Sequence, residues 1–210
     1  AAAQAAAKGA GGHVVTGGTS GLGVLTGRWL AQRGLRRLTL ASRSGVLARD
    51  AATDWQLVHA TCDGSASIER YDVSEAAHVC RLMVAMPWPT GVWHAAGVLA
   101  DGVLPNQSAE SFAYVFAPKV HGAWSMSSSS ASRPLRVCTL FSSVAAVLGG
   151  GAQANYSAAN FCLDALSGSR RTNGRVGVSV QWGAWAEMGM AARGAASERM
   201  AAMEAASGFG

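Results

Sequence analysis

Charge is scarce in this chain, and the little it carries forms no recognisable polyanion or metal site. Only 14% of the 210 residues are Asp, Glu, Lys or Arg, while half are hydrophobic, a balance that excludes a disordered chain and fits a globular α/β protein. The net charge of +5 comes from arginines spread from Arg28 to Arg199, with no dense basic run and little aromatic interleaving. That distribution argues against nucleic-acid binding. Cysteine is limited to Cys62, Cys80, Cys138 and Cys162, far apart and without a CxxC pair. Neither a zinc site nor a small disulfide scaffold is indicated, no metal is expected, and a reducing, cytoplasmic compartment fits. No apolar run approaches a membrane span, and the start "AAAQAAAKGA" lacks the charged and strongly apolar layout of a signal peptide. Among the charged residues lysine is rarest: Lys8 and Lys119 stand against fifteen arginines.

What is present is a regular alternation. Short β-branched runs start at His13 ("HVVTGG"), Leu38 ("LTLASR"), Ser67 ("SIERYDV"), Val92 ("VWHAAG"), Val137 ("VCTLFSS") and Val178 ("VSVQWG"). Helical patterns lie between them near 21–33, 47–60, 74–86, 108–128 and 154–170. The order β-α-β-α predicts a three-layer α/β fold, a Rossmann-like doubly wound parallel sheet covered on both faces. Residues 1–10 read as a linker or extension, 11–192 as one domain, and 193–210 as a C-terminal helix or tail. There is no internal repeat, and "SMSSSSAS" at 125–132 reads as a solvated helix end leading into a loop.

The first strand runs into "TGGTSGLG", so Gly17, Gly18, Thr19, Ser20, Gly21, Leu22 and Gly23 form a glycine-rich turn ahead of a helix. Glycine there allows a pyrophosphate to approach the backbone, and the amides of the helix N-terminus attract its charge. A bare glycine turn could be an ordinary βα connection; the strand before and the helix after point to a dinucleotide. After the second strand, where an acid would meet a free ribose 2′-hydroxyl, the chain has Ser42, Arg43 and Ser44. Arg43 suits a 2′-phosphate and hence NADPH, unless it is only a solvated cation. Asp72 and Val73 follow the third strand, with Asp72 either accepting from the adenine amino group or serving the next helix cap in place of Ser74. The fourth strand ends His94, Ala95, Ala96, Gly97, small residues that let a flat ligand approach, with His94 a satisfied residue under the adenine ribose rather than a catalyst.

The fifth strand ends at Ser143, thirteen residues before Tyr156, and Asn160 lies one turn beyond Tyr156 on the same helix face. Ser143 can hold a carbonyl oxygen while Tyr156 donates a proton to it as hydride reaches carbon. A phenol with a pKa near 10 needs a nearby cation to act at neutral pH. Lys119, in the helical pattern between strands four and five, is the candidate, and an ammonium can also reach ribose hydroxyls. Asn160 could hold a water or a backbone group that links the phenol to Lys119.

The stretches "TGGTSGLG", "SRSG", "YDVS", "HAAGVLADG", "APKVHGAW", "FSSVAAVLGGGAQANYSAANFCLDAL" and "VSVQWGAWAEMGMA" resemble the catalytic half of ketoreductase domains from polyketide synthases and type I fatty acid synthases. These belong to the short-chain dehydrogenase/reductase superfamily, and the resemblance covers roughly residues 11–192. Most of that superfamily has lysine four residues after the tyrosine; here Asn160 stands there and Lys119 supplies the amine, the exchange these ketoreductases show. The resemblance implies NADPH-dependent reduction of a β-ketoacyl group, held on the phosphopantetheine arm of an acyl carrier protein, to a β-hydroxyacyl group. Tyr156 is then the proton donor, Ser143 the carbonyl holder, and Lys119 with Asn160 the supporting pair. The implied partners are that carrier protein and other synthase domains, including a bracing N-terminal structural half. Substrate contacts would involve Leu99, Asp101, Ser143 and Leu148. One product configuration goes with an "LDD" signature, where this chain has Leu99-Ala100-Asp101; the opposite class often has Trp eight residues before the tyrosine, where this chain has Leu148. The expectation is the "LDD"-type outcome. Two other readings are a reductase-like domain without activity and a free-standing reductase of small ketones.

Overall fold

The computed structural model describes residues 11–86, 89–131 and 135–183. Six strands alternate with helices: β1 (Gly12–Thr16), α1 (Gly21–Gln32), β2 (Leu38–Ser42), α2 (Ala52–Thr61), β3 (Ala66–Arg70), α3 (Ala76–Ala85), β4 (Pro89–His94), α4 (Ala109–Phe116), α5 (Gly122–Ser129), β5 (Val137–Ser143), α6 (Ala145–Leu148), α7 (Ala154–Thr172) and β6 (Val178–Trp182). The sheet is entirely parallel, in the order β3-β2-β1-β4-β5-β6. The chain first winds outward from β1 to β3 and then crosses to build β4 to β6. This reversal creates a crevice beyond the carboxyl ends of β1 and β4, where open α/β sheets bind ligands.

The central strands are buried on both faces and largely apolar, while the edge strands β3 and β6 are partly exposed. Successive side chains point to opposite sides, so Val14 packs with Val79, Leu82, Ala123, Met126 and Leu163 under α3, α5 and α7. Its neighbour Val15 packs with Val24, Leu30, Val58 and Cys62 under α1 and α2. Among the described residues no helix is long and apolar enough to cross a membrane.

Two differences from the sequence reading bear on function. The expected single helix over 108–128 is broken into α4 and α5 by a π-helical turn at Ala117–His121. Pro118 has no N–H to give an α-helical ladder and its ring crowds the preceding turn, so the chain widens there. A four-residue helix, α6, also forms directly after β5, closed by Gly149 at φ 77°. The end of the domain at 192 and the expected tail at 193–210, like the linker at 1–10, lie outside the described residues.

Candidate active site

The glycine turn joins the end of β1 to α1 and is shaped by contact as much as by flexibility. Gly17 has φ +66°, and a Cβ there would lie 2.9 Å from the backbone of Ala95 and Ala96. At Gly23 a Cβ would come within 2.0 Å of the Gly17 carbonyl oxygen. Helix α1 starts without a side-chain cap on Ser20 and without an acid in its first turn. Its first amides therefore keep their positive end free for an anion. At the end of β2, Ser42 Oγ accepts from the Gly45 amide at 3.1 Å and closes a tight turn that leaves Arg43 exposed. The residues from Ser42 to Val46 include no carboxylate. This donor set, an open helix start and an exposed guanidinium, suits anionic phosphate groups.

Beyond β3, Asp72 turns inward on its own segment: its Oδ1 accepts from the Ser74 amide at 3.0 Å and from the Ser74 hydroxyl. Burial raises its carboxyl pKa, but the Ser74 bonds and the Arg43 charge outweigh this and leave it below the ordinary value. Neither Asp72 nor Ser74 caps α3, whose N-cap is Glu75. Val73 is buried beside Gly122.

His94 is fully buried, with Nδ1 2.8 Å from the Thr16 hydroxyl and Nε2 2.9 Å from the Lys119 carbonyl. A carbonyl only accepts, so Nε2 carries the proton and Nδ1 accepts from Thr16. Burial lowers its pKa to about 4, which keeps the ring neutral. His94 is satisfied, as expected, and the partner it holds is the turn that carries Lys119. Gly97 serves the same lysine: a Cβ there would lie 2.9 Å from Lys119 Cε.

Lys119 sits in the π-helical turn, 3% exposed, with Nζ donating to the Phe141 carbonyl at 3.0 Å and to Asn160 Oδ1 at 2.8 Å. Its ammonium position is 5.2 Å from the centre of the Tyr156 ring. Asn160 is fully buried and returns its own Nδ2 to the Tyr156 carbonyl at 2.8 Å, one turn back on α7. Thus Asn160 links the tyrosine turn to Lys119 directly. Ser143, the last residue of β5, accepts from the Ala145 amide at 3.2 Å, which fixes its hydroxyl at the start of α6. Burial raises the Tyr156 pKa, while side-chain hydrogen bonds with Asn160 and Ser143 pull it back only in part. This differs from the expected lowering by a cation, because burial also lowers Lys119, to about 7. Both shifts have one cause, the loss of water around an ionised form.

The four residues read as catalytic, Ser143, Tyr156, Lys119 and Asn160, therefore come together, and the cofactor candidates from Gly17 to Gly23 and from His94 to Gly97 line the neighbouring strand ends. Leu99 is partly buried on the loop after β4, and Asp101 on the same loop accepts from Gln153 Nε2 at 3.2 Å. Leu148 ends α6 with 81% of its surface exposed. Sequence reasoning missed Asn155, Gln153 and the Phe141 carbonyl. A carbonyl has no sequence signal, and Asn155 differs from a surface amide only through its contacts.

Comparison with known proteins agrees with this fold. Residues 11–187 match the family described as KR domain. The chain is 43% identical over 194 residues to polyketide synthase GfsB of Streptomyces halstedii, covering 89% of this chain and 3% of that protein. It is 39% identical over 182 residues to the pikromycin polyketide synthase component PikAII of Streptomyces venezuelae, covering 83% of this chain and 5% of that protein. Among solved structures, A-type ketoreductases from a modular polyketide synthase superpose with a TM-score of 0.84 at 34% identity, covering 91% of this chain and 41% of theirs. The first ketoreductase of the tylosin synthase gives 0.81 at 38% identity, covering 91% of this chain and 42% of its own. The chain belongs to the KR domain family, the ketoreductase domains of polyketide synthases within the short-chain dehydrogenase/reductase superfamily.

Proposed function

We propose that this chain reduces a β-ketoacyl thioester to the β-hydroxyacyl thioester with NADPH, the substrate being carried on the phosphopantetheine arm of an acyl carrier protein within a larger synthase. The observation that carries this reading is the convergence of Ser143 and Tyr156 beside the buried Lys119–Asn160 pair, at the strand ends that face the glycine turn.

The uncapped start of α1 would hold the pyrophosphate, and Arg43 the 2′-phosphate. Bound NADPH supplies the hydride that the substrate carbonyl carbon accepts. Ser143 and Tyr156 would both donate hydrogen bonds to the carbonyl oxygen, which favours the charge that develops on it. As carbon takes the hydride, the carbonyl π pair moves onto oxygen, and the Tyr156 proton follows to give the hydroxyl. The raised pKa of Tyr156 suits this direction, since the phenol is protonated before each turnover. Lys119, with its pKa near 7, can return a proton to the phenolate, and Asn160 keeps the amine next to the tyrosine turn.

The test is NADPH oxidation followed at 340 nm with a short β-ketoacyl N-acetylcysteamine thioester, with NADH as control. Tyr156→Phe keeps the ring and removes the proton; kcat should fall by about 10²–10⁴-fold with NADPH binding retained. A wild-type chain that binds NADPH yet turns over no β-ketoacyl thioester would leave the non-catalytic reading standing. Leu99, Asp101 and Leu148 support the "LDD"-type product configuration, to be checked by chiral chromatography of the hydroxy product.

A further inference from the structure

The seam between the loop after β4 and the first turn of α7 contains one residue to which the mechanism above gives no role. Asn155 immediately precedes Tyr156 and is 0% exposed. A carboxamide buried this completely must place both its oxygen and its nitrogen. Its Oδ1 accepts from the amide of Tyr156 at 2.7 Å, a first-turn N–H that the helix itself leaves without a partner. Its Nδ2 donates to the Ala100 carbonyl at 2.7 Å, with a longer contact of 3.5 Å to the Ser111 carbonyl in the first turn of α4. One side chain thus joins three segments: the tyrosine turn, the loop that continues from Gly97 to Gly102, and the start of α4.

Other ties cross or brace the same loop. The Gly102 amide donates to the Ala152 carbonyl at 2.8 Å, Gln153 Nε2 donates to Asp101, and Gln107 Nε2 donates to the Gly102 carbonyl at 2.8 Å. Gln107, Asp101, Gly102, Ala152 and Gln153 are all partly exposed, so water can replace these bonds. Water has no comparable access to Asn155.

We propose that Asn155 is a positioning residue that sets the Tyr156 phenol in register with the loop Gly97–Gly102, and so with the substrate carbonyl. The inference rests on the ketoreductase reading and adds the residue that aims its acid. It acts through Tyr156 and the Ala100 carbonyl and does not touch the reacting atoms. A proton donor misplaced by about 1 Å can cost about 100-fold in rate, even when the misplacement starts away from the chemistry.

Two substitutions in the intact chain separate the functions of the carboxamide. Asn155→Ala removes both bonds. Asn155→Asp is nearly isosteric and keeps an oxygen for the Tyr156 amide, but sets a second acceptor against the Ala100 carbonyl. Both should lower kcat for the β-ketoacyl N-acetylcysteamine thioester by about 10–100-fold, while KM for the thioester and the NADPH Kd measured by fluorescence stay within about threefold of wild type on the same basis. Because Asp fits the same space, it serves as the test if the Ala protein does not fold. A kcat within twofold of wild type in the Asp protein would overturn the proposal, since the tie to Ala100 would then be dispensable. Equal losses in kcat and NADPH binding would overturn it too, because they describe general loosening of the site. Tyr156→Phe runs alongside: if that variant is inactive while the Asn155 variants are normal, the reductase reading stands and only the positioning role falls. If wild type itself does not oxidise NADPH, both fall together.

Discussion

Replacing Lys119 by methionine should remove activity while leaving stability at pH 7 near that of the parent, because the cost of burying the amine roughly offsets the hydrogen bonds it donates. The side chain is 3% exposed, and its pKa falls from 10.5 to about 7. At about 1.36 kcal/mol per pH unit, that difference corresponds to a penalty approaching 5 kcal/mol when the amine is charged in both states. Between pH 7 and 10.5 the unfolded chain holds the extra proton, so stability rises with pH through this window and the full penalty applies below 7. From pH 7 to 9.5 this one group should add about 3 kcal/mol to the parent. Methionine removes that pH-dependent contribution altogether. It also leaves the Phe141 carbonyl and Asn160 Oδ1 without their donor, at about 1–3 kcal/mol each. Gain and loss roughly offset at pH 7, and the variant becomes the less stable protein as pH approaches 9.5. The assay is urea unfolding of both proteins at the two pH values, read as the difference between them, which cancels every other titrating group. A difference that does not change with pH would refute the reasoning, since Lys119 would then keep its ordinary pKa despite burial. NADPH oxidation by the same variant should drop by about 10²–10³-fold, the scale of a lost acid/base or electrostatic contribution.

Arg43→Ala should raise the NADPH Kd by about 10–100-fold, equivalent to about 1.5–3 kcal/mol for charge-assisted hydrogen bonds, and leave the NADH Kd unchanged in parallel titrations. For Gly23→Ala, the new methyl would meet the Gly17 carbonyl oxygen at 2.0 Å, so the turn must move; calorimetry should show weakened NADPH binding even where circular dichroism finds the fold intact. His13 and His94 are both buried with pKa lowered to about 4. Because the folded values lie below the unfolded 6.5, stability should be lost as pH falls from 6.5 towards 4. Replacing His94 by Gln should flatten part of that decline in denaturant titrations.

The six strands and the glycine turn were legible because their signals are local. An apolar run of β-branched residues reads as a buried strand wherever it sits, and "TGGTSGLG" needs only a strand before it and a helix after. Boundaries shifted where loops took over: "HVVTGG" stops pairing at Thr16 and "VWHAAG" at His94, because the residues beyond serve close contacts at Gly17 and Gly97. Pro118 was visible in the chain, yet the contacts that Lys119 Nζ makes from the turn, to the Phe141 carbonyl and Asn160, come from distant segments.

By itself, then, the amino-acid order determined the layer architecture, the place of the glycine turn and the pairing of Tyr156 with Asn160, all of which depend on spacing within a few residues. Only the tertiary structure decided what those residues do to one another. It brought Lys119 within 2.8 Å of Asn160, forty-one positions away, made His94 the brace for the lysine turn, and buried Asn155 against Ala100. It also reversed the expected shift of the Tyr156 pKa. Desolvation depends on which atoms exclude water from a site, and that is a property of packed surfaces from distant segments rather than of residue types in a row.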